Sequence, residues 1–367
     1  MSNRIDKNRF RFYILGLLAF LFLMPSMAYS QENKEDDLDI KSIVFEHMGD
    51  SYEWHIMSLS DDVKISLPLP VILYSSDKGW QFFLSSKLAE GKEYNGFKIA
   101  EAHSENEGKI VEEINGVWDR PTLDLSITKL AAALLFNSLL VILIILFVAR
   151  WYRNGDYKKV SPGGFTGFME MFIMMIHDDV IKESVGENYK RFAPYLLTVF
   201  FFVFINNIVS LIPIFPGGVG VTGNIAITAV LALCTLLAVN LFGSKHYWKE
   251  IFWPDVPIYL KAPIPLLPVI EFVGILTKPF ALMIRLFANM MAGHMAILIF
   301  VCLIFISAKM GPAMQGGLSV ISVLLTLFMN LLELLVAFIQ AYVFTLLSAV
   351  FIGLAQEGKT HKVENQE

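Results

Sequence analysis

The sequence has few cysteines and few charged residues. Only two cysteines occur among 367 residues, Cys234 and Cys302, and both lie inside apolar stretches. This argues against a disulfide-stapled scaffold or a cysteine metal centre, and we expect two small buried thiols. Charged residues make up 17% of the chain, below the ~25% of typical soluble domains. There is no clustered basic patch of the kind that binds nucleic acid, so no nucleic-acid partner is expected.

Apolar residues are abundant instead. Hydrophobic residues form 55% of the chain and aromatic residues 13%. Several stretches approach the ~20 residues that a helix needs to cross a ~30 Å hydrocarbon layer. Residues 31–127 hold 20 acidic and 9 basic side chains, whereas residues 128–367 hold 13 acidic and 16 basic ones. These features predict an integral membrane protein with a small acidic, water-facing region.

Residues 1–30 have the pattern of a secretory signal peptide. Four basic residues precede an apolar run from Phe12 to Met24, and small residues follow before Gln31. Such a pattern predicts export, with cleavage after Ser30. An uncleaved signal anchor is the alternative. Both interpretations place residue 31 onward outside the cytoplasm.

Residues 31–125 are predicted to form a small mixed extracytoplasmic region. Strand-like pieces occur at Val63–Leu67, Val71–Tyr74 and Trp80–Leu84, with turn-forming residues between them. The histidines of this region lack the spacing of a metal site. We therefore expect no metal and no cofactor, and the sequence assigns no role to this region.

Residues 126–355 are predicted to be an all-α membrane domain with five transmembrane helices. The expected crossings are Ile127–Val148, Pro194–Ile214, Asn224–Phe242, Pro263–Ile306 and Ser319–Ile352. Lysine and arginine are concentrated after the first, third and fifth crossings. The basic residues after the fifth crossing lie in the tail, residues 356–367. Because cytoplasmic segments carry this excess, we predict a multi-pass protein of the bacterial cell (inner) membrane. Its N-terminus would be extracytoplasmic and its C-terminus cytoplasmic.

Residues 161–187, between the first two crossings, are predicted to form an interfacial amphipathic helix on the cytoplasmic surface. Apolar side chains recur there at helical spacing and suggest one apolar face. They are Phe165, Phe168, Met171, Phe172 and Met175.

The last two crossings are unusually long. A helix of 34 residues spans roughly 50 Å, which exceeds the thickness of a bilayer. These helices must therefore be steeply tilted, broken or partly interfacial. Four prolines favour a break in the first of the two. They are Pro263, Pro265, Pro268 and Pro279.

Ionisable residues interrupt the fourth crossing. Glu271, Lys278 and Arg285 are seven residues apart and share one stripe of a helix, which Asn289 extends. His294 lies nine residues beyond Arg285, half a turn around the helix. A charge at the bilayer centre costs ~2.5–3.5 kcal/mol on insertion scales. Such a group of residues marks an ion path or a paired functional site by default.

The fifth crossing carries a polar stripe of its own, formed by Asn330, Glu333 and Gln340. The two stripes could face each other, and Gly293 would allow the helices to approach closely. A purely structural hydrogen-bond network is the alternative. It accounts poorly for Arg285, which has no acidic residue three or four positions away and cannot lose its proton.

Three segments resemble the a subunit of F-type rotary ATP synthases. They read PFALMIRLFANMMAGH, ELLVAFIQAYVF and NYKRFAPYLLTVFFFVFINNIVSLIP, and TGNIAIT at residues 222–228 also matches. The resemblance covers about residues 40–355. It implies one crossing, an amphipathic surface helix, a two-helix hairpin and two long tilted helices against a ring of c subunits. The long acidic extracytoplasmic region departs from the family's common pattern.

The resemblance also implies a role for each polar residue. Arg285 stands at the position of the essential arginine that faces a c-ring carboxylate, and Gln340 at that of the glutamine near it, with Asn289 beside them. His294 and Glu333 match the pair that lines the outside half-channel, in the order found in mitochondrial relatives. We also place Glu271 and Asn224 in the proton path.

The resemblance further implies a channel subunit that is not an enzyme on its own. Its expected partners are the c-subunit ring, the b-subunit stator stalk, the F1 head and the lipid bilayer. Residues 353–360, GLAQEGKT, fit the P-loop pattern, but a P-loop follows a strand and precedes a helix. No direct nucleotide binding is therefore expected. A secondary ion-coupled transporter is the main rival, although its usual repeated halves are not evident.

Overall fold

The computed structural model describes residues 49–60, 63–100, 104, 106–114, 116–154, 162–212, 217–252, 266–308 and 312–356. The predicted signal peptide, residues 31–48 and the tail after Gln356 lie outside the described residues.

Residues 49–125, called the β region below, form short antiparallel strands. They are β1 Glu53–Ser60, β2 Val63–Pro68, β3 Pro70–Ser75, β4 Gly79–Leu84, β5 Phe97–Ile99, β6 Ile110–Ile114, β7 Val117–Asp119 and β8 Leu123–Asp124. Their pairing gives three small sheets, with strand orders β1-β2, β4-β3-β8 and β5-β6-β7. The three strands predicted from sequence are confirmed as β2, β3 and β4.

A small apolar core holds the β region together. Val71 and Leu73 of β3 alternate inward and pack with Phe83, Phe97 and Ile110. The opposite face of β4 leaves two aromatic rings exposed, because side chains alternate across a strand. These are Trp80, 52% exposed, and Phe82, 68% exposed.

The rest of the described chain is helical. The helices are α1 Lys129–Asn154, α2 (the α-helical Gly164–Met174, the π-helical Met175–Lys182 and the α-helical turn Glu183–Val185), α3 Tyr189–Ser210, α4 Ile225–Phe242, α5 Lys245–Phe252, α6 Leu266–Ala308 and α7 Pro312–Gln356. Among the described residues, five helical stretches are long and apolar enough to cross a membrane. The predicted all-α membrane fold is confirmed.

The expected break in the fourth crossing is wrong for residues 266–308, the part of that crossing that the structure describes. α6 runs without interruption for 43 residues and contains Pro279 in its interior. A proline removes one backbone hydrogen bond, and in this helix the bonds on either side keep the axis continuous. At 1.5 Å per residue α6 spans roughly 65 Å, so it must be strongly tilted or extend beyond the hydrocarbon layer. Residues 261–265, with Pro263 and Pro265, lie outside the described part of the chain.

The apolar residues predicted for α2 divide between the protein interior and the outer surface. Phe172 is buried and its ring packs against Phe204 and Phe338, at centroid distances of 5.3 and 5.7 Å. Phe165 and Phe168 instead lie on the outside, about half exposed. The buried face of α2 turns out to be another set: Thr166, Met169, Phe172, Ile176, Val180, Ile181 and Val185. The π-helical segment begins at Met175 and changes the register only of the buried residues that follow it.

The two cysteines differ in their surroundings. Both are free, but only Cys302 is buried, whereas Cys234 is exposed on the outer side of α4. The prediction of two buried thiols is therefore wrong for Cys234. An apolar helix that faces lipid buries only one side against protein, and hydropathy does not tell which side that is.

The C-terminal end of α7 packs backbone to backbone against α2. A Cβ atom built on Gly353 would overlap the carbonyl oxygen of Ser184. We expect Gly353→Ala to destabilise the fold by about 3 kcal/mol, because a backbone oxygen cannot rotate away as a side chain can. The matched control is Gly316→Ala at the other end of α7, where an added Cβ meets no atom within 4 Å.

Thermal unfolding of the purified protein and the amount of chain retained in membranes would test this. Gly316→Ala should keep or slightly raise the unfolding temperature, because alanine is the better helix former. Equal behaviour of the two variants would contradict the packing argument.

Candidate functional site

α6 has an inner and an outer side. Leu282, Leu286 and Met290 recur every four residues and are almost fully buried against the helix bundle. His294 continues this row one turn further along α6. Arg285 and Asn289 lie on the exposed side of the same helix. The half-turn offset that the sequence predicts between Arg285 and His294 fits this arrangement.

His294 meets Glu333 between α6 and α7. The Nδ1 atom of His294 lies 2.7 Å from Oε1 of Glu333 and 3.1 Å from the carbonyl oxygen of Met290. The Glu333 side chain is 2% exposed and that of His294 19%. Within the described residues, Nε2 of His294 and both carboxylate oxygens of Glu333 have no hydrogen-bond partner of good geometry. Buried polar atoms without partners cost free energy, so such a pair calls for a functional explanation.

Gly293 lets the carboxyl group of Glu333 reach this position. A Cβ on Gly293 would lie 2.8 Å from Oε1 and 2.9 Å from Cδ of Glu333. Real Cβ atoms do not come that close to another side chain. The close approach of two helices predicted from Gly293 is confirmed, and it is the carboxyl group that occupies the space.

Arg285 has no acidic partner within the described parts of the chain. Its side chain is exposed, and other exposed side chains of the same helix, such as Phe280 and Ile284, are apolar. Gln340 of α7 is 8% exposed and makes no side-chain hydrogen bond with a described residue. A permanent cation on an apolar surface is costly unless an anion from another molecule faces it.

The expectation that the two polar stripes face each other is wrong for most of the α6 stripe. Glu271, Lys278, Arg285 and Asn289 all lie on the exposed side of α6. Residues seven apart remain on one face of a helix, and in α6 that face is exposed and does not meet the polar stripe of α7. Only His294, half a turn away, reaches the stripe on α7.

Glu271 and Lys278 lie toward the N-terminal end of α6. Glu271 precedes His294 by 23 residues, roughly 35 Å along the helix, so the structure does not bring these two proton-path candidates together. Burial and the negative charge of Glu271 raise the pKa of the Tyr247 phenol on α5. The Lys278 ammonium lies 5.6 Å from the centroid of the Phe351 ring. These residues form a separate group at the opposite end of α6 from His294.

Asn224 has a local structural role. It is the N-cap of α4, and its Oδ1 accepts a hydrogen bond of 2.9 Å from the backbone N–H of Ala226. An N-cap residue satisfies a helix N–H that has no partner in the helix. No hydrogen bond joins its side chain to His294 or Glu333 in the described part of the chain.

Two buried asparagines on α3 form polar contacts that the sequence did not single out. Asn207 accepts a 2.6 Å hydrogen bond from the Thr222 hydroxyl and donates one of 3.5 Å to the carbonyl of Ala337, one turn from Glu333. Asn206 accepts a 2.9 Å hydrogen bond from Asn137 of α1. Two adjacent asparagines within an apolar run are a recognisable signal, because each needs a partner when buried.

The segment before α4 also reaches His294. A 3₁₀ turn spans Val221–Gly223 and contacts α1, α3, α4 and α6. A Cβ built on Gly220 would lie 3.4 Å from Nε2 and 3.5 Å from Cδ2 of the His294 ring. The backbone of Gly220 therefore covers the edge of the imidazole that carries Nε2.

Neither a metal site nor a nucleotide site emerges from the described residues. They contain no group of three or more His, Cys, Asp or Glu side chains that could hold a metal ion. Gly353–Gln356, the start of the P-loop-like sequence, form the last turn of α7 and do not follow a strand. The rest of that motif lies outside the described residues.

Comparisons with known proteins agree with this architecture. A family model described as "ATP synthase A chain" matches residues 135–353. A second, "Domain of unknown function (DUF8433)", matches residues 43–124. The chain is 38% identical over 245 residues to "ATP synthase subunit a" of Chloroherpeton thalassium, covering 65% of this chain and 69% of the relative. It is 37% identical over 250 residues to the protein of the same name from Myxococcus xanthus, covering 66% and 77%.

Proposed function

Because the chain belongs to the ATP synthase A chain family, we propose that it is the stator subunit of the Fo proton channel. It is a multi-pass membrane protein. In this proposal the chain couples proton flow to rotation of a c-subunit ring and so to ATP synthesis. The b-subunit stator stalk and the F1 head are its other partners. The exposed Arg285, which has no acidic partner among the residues that the structure describes, is the observation that carries the proposal.

Arg285 would face a carboxyl group carried past it by the ring. A c-subunit carboxyl must be neutral where it meets lipid and must release its proton beside the stator. A guanidinium nearby stabilises the ionised form, by about 4 kcal/mol at 4 Å with an effective dielectric constant of 20. Gln340 and Asn289 would orient the two charges. The fixed cation would also prevent protons from passing directly between the two access paths.

His294 and Glu333 would relay protons in the access path from outside. A carboxyl and an imidazole can exchange a proton near neutral pH, and their contact of 2.7 Å allows direct transfer. Oε2 of Glu333 and Nε2 of His294, which have no hydrogen-bond partner among the described residues, would serve as the entry and exit points. Thr222 and Asn207 would keep the surroundings polar.

Glu271, at the other end of α6, would belong to the access path from the cytoplasm. The excess of basic residues in the segments predicted to be cytoplasmic supports an inside location for that end of α6. Each proton that crosses 100 mV releases ~2.3 kcal/mol, which rotation passes to the F1 head.

Glu333→Gln and His294→Ala are expected to slow passive proton conduction through F1-stripped membrane vesicles. We expect a loss of about 100-fold for each, because positioned acid–base groups contribute about 10²–10⁴-fold. Vesicles loaded with a pH-sensitive dye and given a potassium diffusion potential provide the measurement.

Glu187→Gln and His246→Ala are matched controls, since both residues are exposed and distant in sequence from the pair. They should conduct protons as the unmodified protein does. Unchanged conduction in both Glu333→Gln and His294→Ala would refute the proposed lining of the outside path.

A further inference from the structure

The β region is fastened to the membrane helices through residues 50–54. The N-terminus of α1 has free backbone N–H groups, as every helix does, and this segment accepts two of them. Asp50 Oδ1 accepts from the N–H of Leu130 at 3.0 Å, and the carbonyl of Ser51 accepts from the N–H of Lys129 at 2.7 Å. The start of β1 is thereby fixed to the start of the first membrane helix.

Tyr52 secures the same segment from the other side. Its hydroxyl donates a 2.7 Å hydrogen bond to Oδ2 of Asp124 in β8. Burial and this carboxylate raise the pKa of Tyr52, so the phenol remains protonated and keeps donating at any physiological pH. β8 leads directly into α1, and the two ends of the β region therefore meet at the start of α1.

Trp54 is the contact between the β region and the segment that covers His294. Its side chain is 5% exposed and belongs to a small apolar cluster with Ala133 of α1, Val219 and Val221. Val219 and Val221 flank Gly220, whose backbone lies against the His294 imidazole. The next residue, Thr222, bonds Asn207.

Five consecutive residues, 219–223, therefore connect Trp54 of the β region with the His294 imidazole. Their apolar side chains pack on Trp54, and their backbone and polar groups face His294 and Asn207. The Nε2 atom of His294 is buried under this segment. A shift of the segment would change both the orientation of the imidazole and the access of water to Nε2.

We propose that the β region is a clamp on the outside access path, in which Trp54 holds residues 219–223 against His294. Trp54 is a positioning residue that does not exchange protons itself. This inference rests on the proposed function of His294 and Glu333. It assigns a role to a region that matches a domain of unknown function.

Four variants of the full chain in its complex test this proposal. Trp54→Ala removes the contact, and Trp54→Phe retains an aromatic ring that can still pack on Val219 and Val221. Val219→Ala weakens the contact from the other side. Trp80→Ala is the matched control, because it removes the same side chain from an exposed position of the β region. Passive proton conduction is measured in F1-stripped vesicles and divided by the amount of assembled complex.

We expect Trp54→Ala to lower conduction per complex about tenfold, within the up to ~100-fold that a misplacement of 1 Å can cause. Val219→Ala should give a smaller loss in the same direction. Trp54→Phe should restore most of the rate, and Trp80→Ala should leave it unchanged. Dividing the rate by the amount of assembled complex corrects for any loss of folded protein. Restoration of the rate by phenylalanine then indicates that the aromatic ring acts by positioning residues 219–223.

The proposal is overturned if Trp54→Ala and Val219→Ala conduct normally per complex, or if Trp80→Ala loses as much as Trp54→Ala. It is also overturned if phenylalanine restores nothing. His294→Ala in the same assay separates the two levels of inference. Slow conduction in His294→Ala with normal conduction in Trp54→Ala rejects the clamp alone, whereas normal conduction in both His294→Ala and Glu333→Gln rejects the proposed access path.

Discussion

Arg285→Ala is expected to abolish ATP-driven proton pumping and ATP synthesis in membrane vesicles. Without the guanidinium, a c-subunit carboxyl loses about 4 kcal/mol of stabilisation for its ionised form, which is close to a thousandfold change in equilibrium. The carboxyl would then stay protonated beside the stator, and the ring would turn without releasing protons in the correct order. Quenching of a pH-sensitive dye on ATP addition measures pumping directly.

Arg285→Lys should also fail, because an ammonium is a point charge and does not offer the planar pair of donors that fits a carboxylate. Arg153→Ala provides the control: that arginine is exposed in the last turn of α1 and its loss should leave pumping intact. Coupled ATP synthesis in Arg285→Ala would refute the assignment of this residue. A loss confined to the amount of assembled complex would equally speak against it, since the proposed role requires an assembled but uncoupled enzyme.

Gly293→Ala is expected to reduce proton conduction by about 100-fold without removing any polar group. The new methyl carbon would lie 2.8 Å from Oε1 of Glu333, so the carboxyl must move or the two helices must separate. A displacement of about 1 Å at a reacting group can cost roughly 100-fold in rate. Conduction through F1-stripped vesicles, per assembled complex, is the appropriate measurement.

Two further variants make this prediction specific. Gly274→Ala lies on the same helix, and its added Cβ meets no atom within 4 Å, so it should conduct normally. Glu333→Asp shortens the carboxyl side chain by one carbon and should recover part of the rate when combined with Gly293→Ala. If Gly293→Ala conducts as well as Gly274→Ala, the carboxyl does not need the position seen in the structure.

Much of the membrane fold could be read from hydropathy and charge. The third crossing predicted from Asn224 to Phe242 is α4 within one residue, because an apolar run bounded by a capping residue and a glycine leaves little choice. The predicted start of the second crossing was less accurate. α3 begins five residues before Pro194, since a proline near the start of a helix need not mark its beginning.

The candidate site was only partly predictable. The spacing of nine residues between Arg285 and His294 fixes them on opposite sides of any helix, and that expectation holds. Which side of α6 faces the helix bundle depended on packing. The row that contains Leu286 and Met290 faces the bundle, so His294 meets Glu333, whereas Arg285 does not. The turn at Gly220 was missed because a contact between a glycine backbone and an imidazole leaves no pattern in the sequence.

The sequence by itself determined the number of crossings, the two long final helices and the placing of ionisable groups in them, because these depend on local hydrophobicity and helical periodicity. Only the tertiary structure decided that α6 stays unbroken, that its charged stripe faces outward, and that Trp54 reaches the segment over His294. Those outcomes depend on contacts between residues far apart in the chain, such as the approach of Glu333 to the space left by Gly293. Local patterns carry no information about such distances.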